Sequence, residues 1–421
     1  DAGAIEPSPS FHGASRSSAG NGSVSNQDLL SAITALSNRI GGGGDLELAE
    51  TEDIPAPDAD LEQDMEMAHN MRSELRAMAR SIKETKSEIK AMRVGGKGDD
   101  TDPNGPVKYY TQDDIREIVA YAKARHIMVV PEIDMPGHAT AANRAYPEFS
   151  GGGSKKHPEF TFNPGSEKCY SYLTDILKET AELFPAPFLH YGGDEAHFGN
   201  KKWSSLPGVQ ALMKKENLKD LIAVEQFFNR RMATVIDSLG KTTVGWDEIV
   251  NAGVPADKCI VMWWRHTTPK ALATALSKGY KVVLCPRVPC YFDFVQHASH
   301  KVGRRWKGKY GTLKLAYEYP VFPEGTPMDK LGQIVGIQAN LWTEKVGSTA
   351  RANFMTYPRL SAIAEAGWST GEKDFTDFQR RLKPMLKRLD LHGVNYFNPF
   401  DLEKTPEMNV HGTVKNPGKK K

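Results

Sequence analysis

From residue 108 onward the chain repeats one unit: a stretch with helical apolar spacing, then a short run of large apolar residues that breaks off into polar or aromatic ones. "YYTQDDIREIVAYAKARH" reads as an amphipathic helix with Thr111 or Asp113 near its N-cap, and "IMVVPEIDMPGH" follows as a buried strand running into a polar loop. Helical spacing recurs around residues 170–184 ahead of "FLHYGGDE", and around 220–239 ahead of "TTVGWDEI". "CIVMWWR" comes next, then a helix near 269–278 and "KVVLCPRVPCYFD", and last "IVGIQANLWTE" with "YPRLSAIAEAGWS" behind it. Strands that are apolar throughout, alternating with helices, predict a parallel sheet covered on both faces, in an α/β barrel or an open sheet.

Each of these six runs ends in chemistry-bearing residues. Glu132, Asp134 and His138 follow the first, and His190, Asp194 and Glu195 the second. Trp246, Asp247 and Glu248 follow the third, and Trp263, Trp264 and Arg265 the fourth. Tyr291 and Asp293 close the fifth, Trp342 and Glu344 the sixth. Parallel strands bring all such ends to one face, where barrel enzymes build their sites. The expected pocket is acidic and aromatic, which suits a carbohydrate: rings pack on the C–H faces of a sugar while carboxylates take its hydroxyls. Within it, "GGDE" sets Asp194 directly before Glu195, although neighbours on a regular strand face opposite ways. Glycoside cleavage needs a carboxylic acid for the leaving oxygen and a second group for the developing positive charge. Two close carboxylates are also expected to raise the pKa of one and keep it protonated.

Composition excludes several other classes. Lys plus Arg (54) nearly balances Asp plus Glu (52), so nothing in the overall charge favours nucleic acid, and the basic ending "VKNPGKKK" reads as a solvated tail. The longest apolar runs fall far short of the roughly 20 residues of a membrane span. Cys169, Cys259, Cys285 and Cys290 follow neither a disulfide framework nor a metal pattern, and no HExxH or phosphate-loop spacing occurs, so no metal or cofactor is expected. The chain starts at Asp1, which reads as a processed start with any signal peptide out of view.

"PEIDMPGH", "HYGGDE", "GWDE", "YFD" and "NLWTE", in this order and at strand ends, resemble the family 20 glycoside hydrolases, the β-N-acetylhexosaminidases, over about residues 108–400. The resemblance implies a (β/α)8 barrel and retaining, exo-acting removal of terminal β-linked N-acetylhexosamine. The nucleophile is then the substrate's own acetamido oxygen, through an oxazolinium-type intermediate. Carried onto this chain, Glu195 matches the general acid/base, and Asp194 the carboxylate that orients and stabilises the acetamido group. Tyr291 matches the hydroxyl on the acetamido oxygen, and Trp246, Trp264 and Trp342 the aromatic walls. Asp293 and Glu344 match carboxylates that bind sugar hydroxyls, and His138 the imidazole that supports the acid. Expected partners are N-acetylhexosamine-terminated glycans or chito-oligosaccharides, and a secreted, periplasmic or lysosomal location is favoured over the cytoplasm.

The pattern departs from the family at its front. Six strand–helix units are visible where the barrel needs eight, and residues 1–107 match neither the Arg-bearing first strand nor the second. They read instead as a Ser/Gly/Pro-rich disordered opening, the helices "NQDLLSAITALSNRI" and "MEMAHNMRSELRAMARSIKETKSEIKAMRV", and a linker, "GGKGDDTDPNG". The organisation expected is therefore an N-terminal segment (1–107), an incomplete barrel (108–400) and a basic tail (401–421). The helices are the candidate surface for self-association or a partner chain. The alternative function is a catalytically impaired fragment or fusion that serves as a carbohydrate-binding or assembly module.

Overall fold

The computed structural model describes residues 110–412, apart from Trp306, Val321 and Thr370. These belong to one compact unit, Gln63–Lys421; the other, Asp1–Glu62, lies outside the described residues, as do the expected N-terminal helices and the final basic run. The strands are β1 (Glu132–Met135), β2 (Ser150–Gly152), β3 (Thr161–Phe162), β4 (Phe188–Gly192), β5 (Thr242–Trp246), β6 (Cys259–Trp263), β7 (Lys281–Leu284) and β8 (Ile334–Ile337). Six of them form one sheet in the order β1-β4-β5-β6-β7-β8, every pair parallel, while β2 and β3 make a small antiparallel hairpin in the loop after β1. Among the described residues the sheet does not close into a barrel: β1 and β8 are its two edges.

The connecting helices form where the spacing predicts them. Thr111 caps Gln112–Lys123 in a reciprocal capping box with Asp114. Ser166 and Asp220 cap Glu167–Leu183 and Leu221–Ser238 by accepting from the backbone N–H groups of Cys169 and Ala223. Their apolar stripes bury Leu173, Leu177, Phe228, Met232 and Ile236 against one face of the sheet, with Leu189 and Val261 opposite. Each such side chain contributes roughly 1.5–3 kcal/mol when removed from water. Phe375–Leu391 packs Phe378, Leu382, Leu386 and Leu389 against Leu313, Tyr317 and Ile363. The last described residues also dock on the body: Glu407 accepts from the N–H groups of Lys301 and Val302, and Gly347 N–H donates to the Val410 carbonyl. The stretch up to 412 is thus packed, not a free tail.

One expectation changes. "IMVV" was expected as buried strand, yet Ile127, Met128 and Val130 are exposed, and ladder pairing begins only at Pro131, whose carbonyl accepts from His190 N–H. An apolar run is buried only where other elements cover it, and residues 127–130 precede β1 at one edge of the described sheet. The β8 edge shows the same effect, with Val335 exposed. Among the described residues no helix is long and apolar enough to cross a membrane, and all four cysteines are buried free thiols.

Candidate active site

The geometry of "GGDE" answers the question its sequence raises. Gly192 and Gly193 take φ of +74° and +91°, so β4 ends in a backbone conformation that side chains resist. A Cβ on Gly192 would also lie 1.8 Å from Asp134 Oδ1. Glu195 follows in the left-handed region (φ 52°) and opens a short 3-10 turn, Ala196–Phe198. The chain therefore turns twice within four residues, and both carboxylates reach the same imidazole. His138 Nε2 lies 3.3 Å from Asp194 Oδ2 and 3.5 Å from Glu195 Oε2. His138 itself has φ 53°, so two non-glycine residues in a costly conformation face each other, at roughly 1–2 kcal/mol apiece.

Electrostatics place the proton differently from the sequence expectation. Burial alone would lower the pKa of His138, but hydrogen bonds to Asp194 and Glu195 and the Asp134 and Asp194 charges raise it to about 11. Burial would raise Glu195, yet the hydrogen bond and charge of His138, helped by Arg287 and His197, hold it below its ordinary value. Two adjacent carboxylates were expected to raise the pKa of one of the pair; Glu195 is instead lowered, and the group raised is the His138 imidazole between them. Behind them, burial and the Asp194 charge push Asp134 well above the carboxylate range, with its Oδ1 sealed from solvent. Asp134, His138 and Asp194 bring ligand atoms within 4.8 Å of one another, a spacing a cation could use, although the imidazole already engages Asp194.

Aromatic rings gather at the same end of the sheet. Trp246 and Trp342 meet at 5.9 Å, Trp342 and Tyr291 at 6.1 Å, and Tyr291 stacks near-parallel to Trp264 at 6.2 Å. The end of β6 sorts two adjacent tryptophans: Trp263, its last residue, joins the main core under the helices, and Trp264, the next, joins Trp246, Met262 and Tyr291 in a second cluster. Asn340 and Trp342 face the Tyr291 hydroxyl, which burial holds well above the ordinary phenol range. Asp293 is buried and pushed up to about 6 by burial, against the pull of Arg304, whose Nε lies 3.3 Å away. Arg304 also pairs with Glu344, which stays exposed. All nine sequence-predicted residues lie at the carboxyl ends of the sheet or in the loops that follow, in three groups: His138 with Asp194 and Glu195, the four rings, and Asp293 with Glu344 through Arg304.

Sequence reading named Glu132, Asp247, Glu248 and Arg265 as strand-end residues but not the partners they hold, and it did not single out Arg359. Glu132 accepts from Trp246 Nε1 at 2.9 Å and Glu248 from Trp264 Nε1 at 3.0 Å. Arg265 is clamped by Asp247, Nε to Oδ1 at 2.5 Å. Arg359, with no exposed surface, donates to the carbonyls of Phe292, Phe294, Gly311 and Met355 and so ties the Tyr291–Asp293 loop to the helix Arg359–Trp368. The "PE" ahead of Ile133, the "DE" after Trp246 and the Arg after Trp264 were the available signals.

The glycosyl hydrolase family 20 catalytic-domain model matches residues 72–371. The chain belongs to glycosyl hydrolase family 20. Its family match begins ahead of the first quoted motif, inside the stretch read as an N-terminal segment. A β-hexosaminidase from Porphyromonas gingivalis is 35% identical over 312 residues, 72% of this chain and 39% of that protein. The human β-hexosaminidase subunit beta is 30% identical over 281 residues, 65% of this chain and 48% of that one. Among solved structures, a family 20 exo β-N-acetylglucosaminidase from Vibrio harveyi in complex with N-acetylglucosamine superposes with a TM-score of 0.64 at 34% identity, covering 70% of this chain and 47% of that one. This family 20 chain spans less than half the length of those relatives. Its parallel sheet and helices are the α/β architecture of the family's barrel domain.

Proposed function

We propose that this chain carries the catalytic centre of an exo-acting, retaining hydrolase that removes terminal β-linked N-acetylhexosamine by substrate-assisted catalysis. The observation that carries this reading is the turn at Gly192–Glu195, which aims two adjacent carboxylates at one imidazole, at the sheet end that also gathers four aromatic rings. Family membership and the bound N-acetylglucosamine of the Vibrio harveyi relative support the same substrate class.

In this scheme the acetamido group enters between Trp246, Trp264 and Trp342, its oxygen accepting from the Tyr291 hydroxyl and its N–H donating to Asp194. The acetamido oxygen attacks the anomeric carbon as the glycosidic bond breaks, and Asp194 stabilises the positive charge left on the ring of the intermediate. The leaving oxygen takes a proton from Glu195. That proton is stored on His138 in the free protein and passes to Glu195 as the sugar displaces water and strips the carboxylate of solvent. Water then attacks the anomeric carbon, gives its proton to Glu195, and the acetamide is regenerated with net retention. Asp293, which faces Arg304 at 3.3 Å, and Glu344 take sugar hydroxyls.

A second reading has one observation in its favour: the described sheet ends in two edges. On that reading the remnant barrel binds N-acetylhexosamine glycans or supports assembly without turnover. Nitrophenol release from a nitrophenyl β-N-acetylglucosaminide by the wild type and by Glu195→Gln separates the two. Turnover that falls in the variant supports the hydrolase, whereas sugar binding with no turnover by either protein supports the module.

A further inference from the structure

Two of the pocket's rings are tethered by carboxylates that the proposed chemistry leaves unused. Trp246 Nε1 donates to Glu132 Oε1 at 2.9 Å, and Trp264 Nε1 donates to Glu248 Oε2 at 3.0 Å. Both pairs have a further support. At Trp246 the support is on the ring: His190, whose Nδ1 accepts from Gly192 N–H, packs edge-on against the indole at 4.9 Å, with Glu132 Oε1 3.2 Å from that nitrogen. Glu248 Oε1 lies 3.6 Å from Arg265 Nη1, and Arg265 is fixed in turn by the fully buried Asp247. Burial, with the Asp247 charge, pushes Glu248 well above the carboxylate range, so it is a costly way to satisfy an indole that a neutral acceptor would serve.

Neither glutamate is placed to contact the reacting atoms, yet each fixes the plane of a ring on which an acyl group would pack. An indole tied at Nε1 to a carboxylate cannot swing without leaving its N–H and that acceptor unpaired. We propose that Glu132 and Glu248 are positioning residues that lock the tilt of Trp246 and Trp264 and thereby set the size of the N-acyl group the pocket accepts. The inference rests on the reading that a 2-acetamido hexoside binds between these rings. A rigid apolar slot discriminates one methylene by about 10- to 200-fold, and a slot with a mobile wall discriminates less.

The test compares kcat/KM for nitrophenyl β-glycosides of N-acetyl- and N-propionyl-glucosamine across wild type, Glu248→Ala, Glu248→Gln, Glu132→Ala and Glu132→Gln. Wild type is expected to favour acetyl by about tenfold or more. Each Ala variant raises the propionyl-to-acetyl ratio about fivefold or more, and each Gln variant, which keeps an amide oxygen for the indole, returns the ratio to within about twofold of wild type. In parallel, the Trp264 indole N–H resonance moves in Glu248→Ala and stays near its wild-type position in Glu248→Gln. Equal losses on both substrates with an unchanged ratio in folded Ala variants overturn the proposal and leave the hydrolase reading standing. Absence of hydrolysis of either substrate by the wild type overturns the hydrolase reading, and the specificity claim with it.

Discussion

His138→Gln isolates the charge at the centre of the site. The imidazole sits 3.3 and 3.5 Å from two carboxylates, and 39% of its side chain is open to solvent. Contacts of this kind contribute up to about 1 kcal/mol each where water screens them, so the pair is expected to stabilise the fold by about 1–2 kcal/mol. Gln fills similar space and keeps a neutral donor, and it inherits the same left-handed backbone cost, so the comparison reports on charge. The sign follows from the direction of the shift. The folded pKa is raised from 6.5 to about 11, so the contribution is fully present below pH 6.5 and is lost as pH rises toward 11. Urea unfolding of both proteins at about pH 6 should show wild type ahead by about 1–2 kcal/mol, and at about pH 10.5 the gap should close. A gap of the same size at both pH values, or a variant more stable at pH 6, would refute the imidazolium assignment.

Arg359→Met should be far more damaging. It removes a guanidinium that satisfies four carbonyls at a site without exposure, and a loss of about 3–5 kcal/mol is expected from thermal unfolding. Gly193→Ala places a Cβ 2.6 Å from Ile249 Cγ2 at φ +91°, so it should cost about 1–3 kcal/mol, read as a lowered urea midpoint. Burial pushes Cys169 and Cys259 up to about 12 and raises Cys285 and Cys290 further, so a thiol reagent should label none of the four in the folded protein and all four in guanidinium.

What could be read from the sequence was whatever depends on one strand and its own end. Apolar runs breaking into Trp, Asp and Glu located β1 and β4 through β8 and placed Asp194, Glu195, Trp264 and Tyr291 on one face, because a parallel sheet leaves those ends nowhere else to go. What depends on a neighbour was not legible. Ile127, Met128 and Val130 read as core, since apolar character is local while burial needs other elements to cover it. The lowering of Glu195 by His138 was not legible for a similar reason. His138 lies far from it in sequence and reaches it only through a loop at positive φ, so no spacing rule connects them. Glu132 and Trp246 stand 114 residues apart and meet through their side chains, and neither residue's local pattern announces the other.

The central claim is that Asp194 and Glu195 serve a nucleophile supplied by the substrate. The most direct measurement is nitrophenol release from a nitrophenyl β-N-acetylglucosaminide and from the matching β-glucoside, which lacks the acetamido group, by wild type and Asp194→Asn. The account predicts cleavage of the acetamido substrate alone, and a fall of about 10²- to 10³-fold in kcat for the variant. Comparable cleavage of the glucoside, or an unimpaired Asp194→Asn, would contradict it.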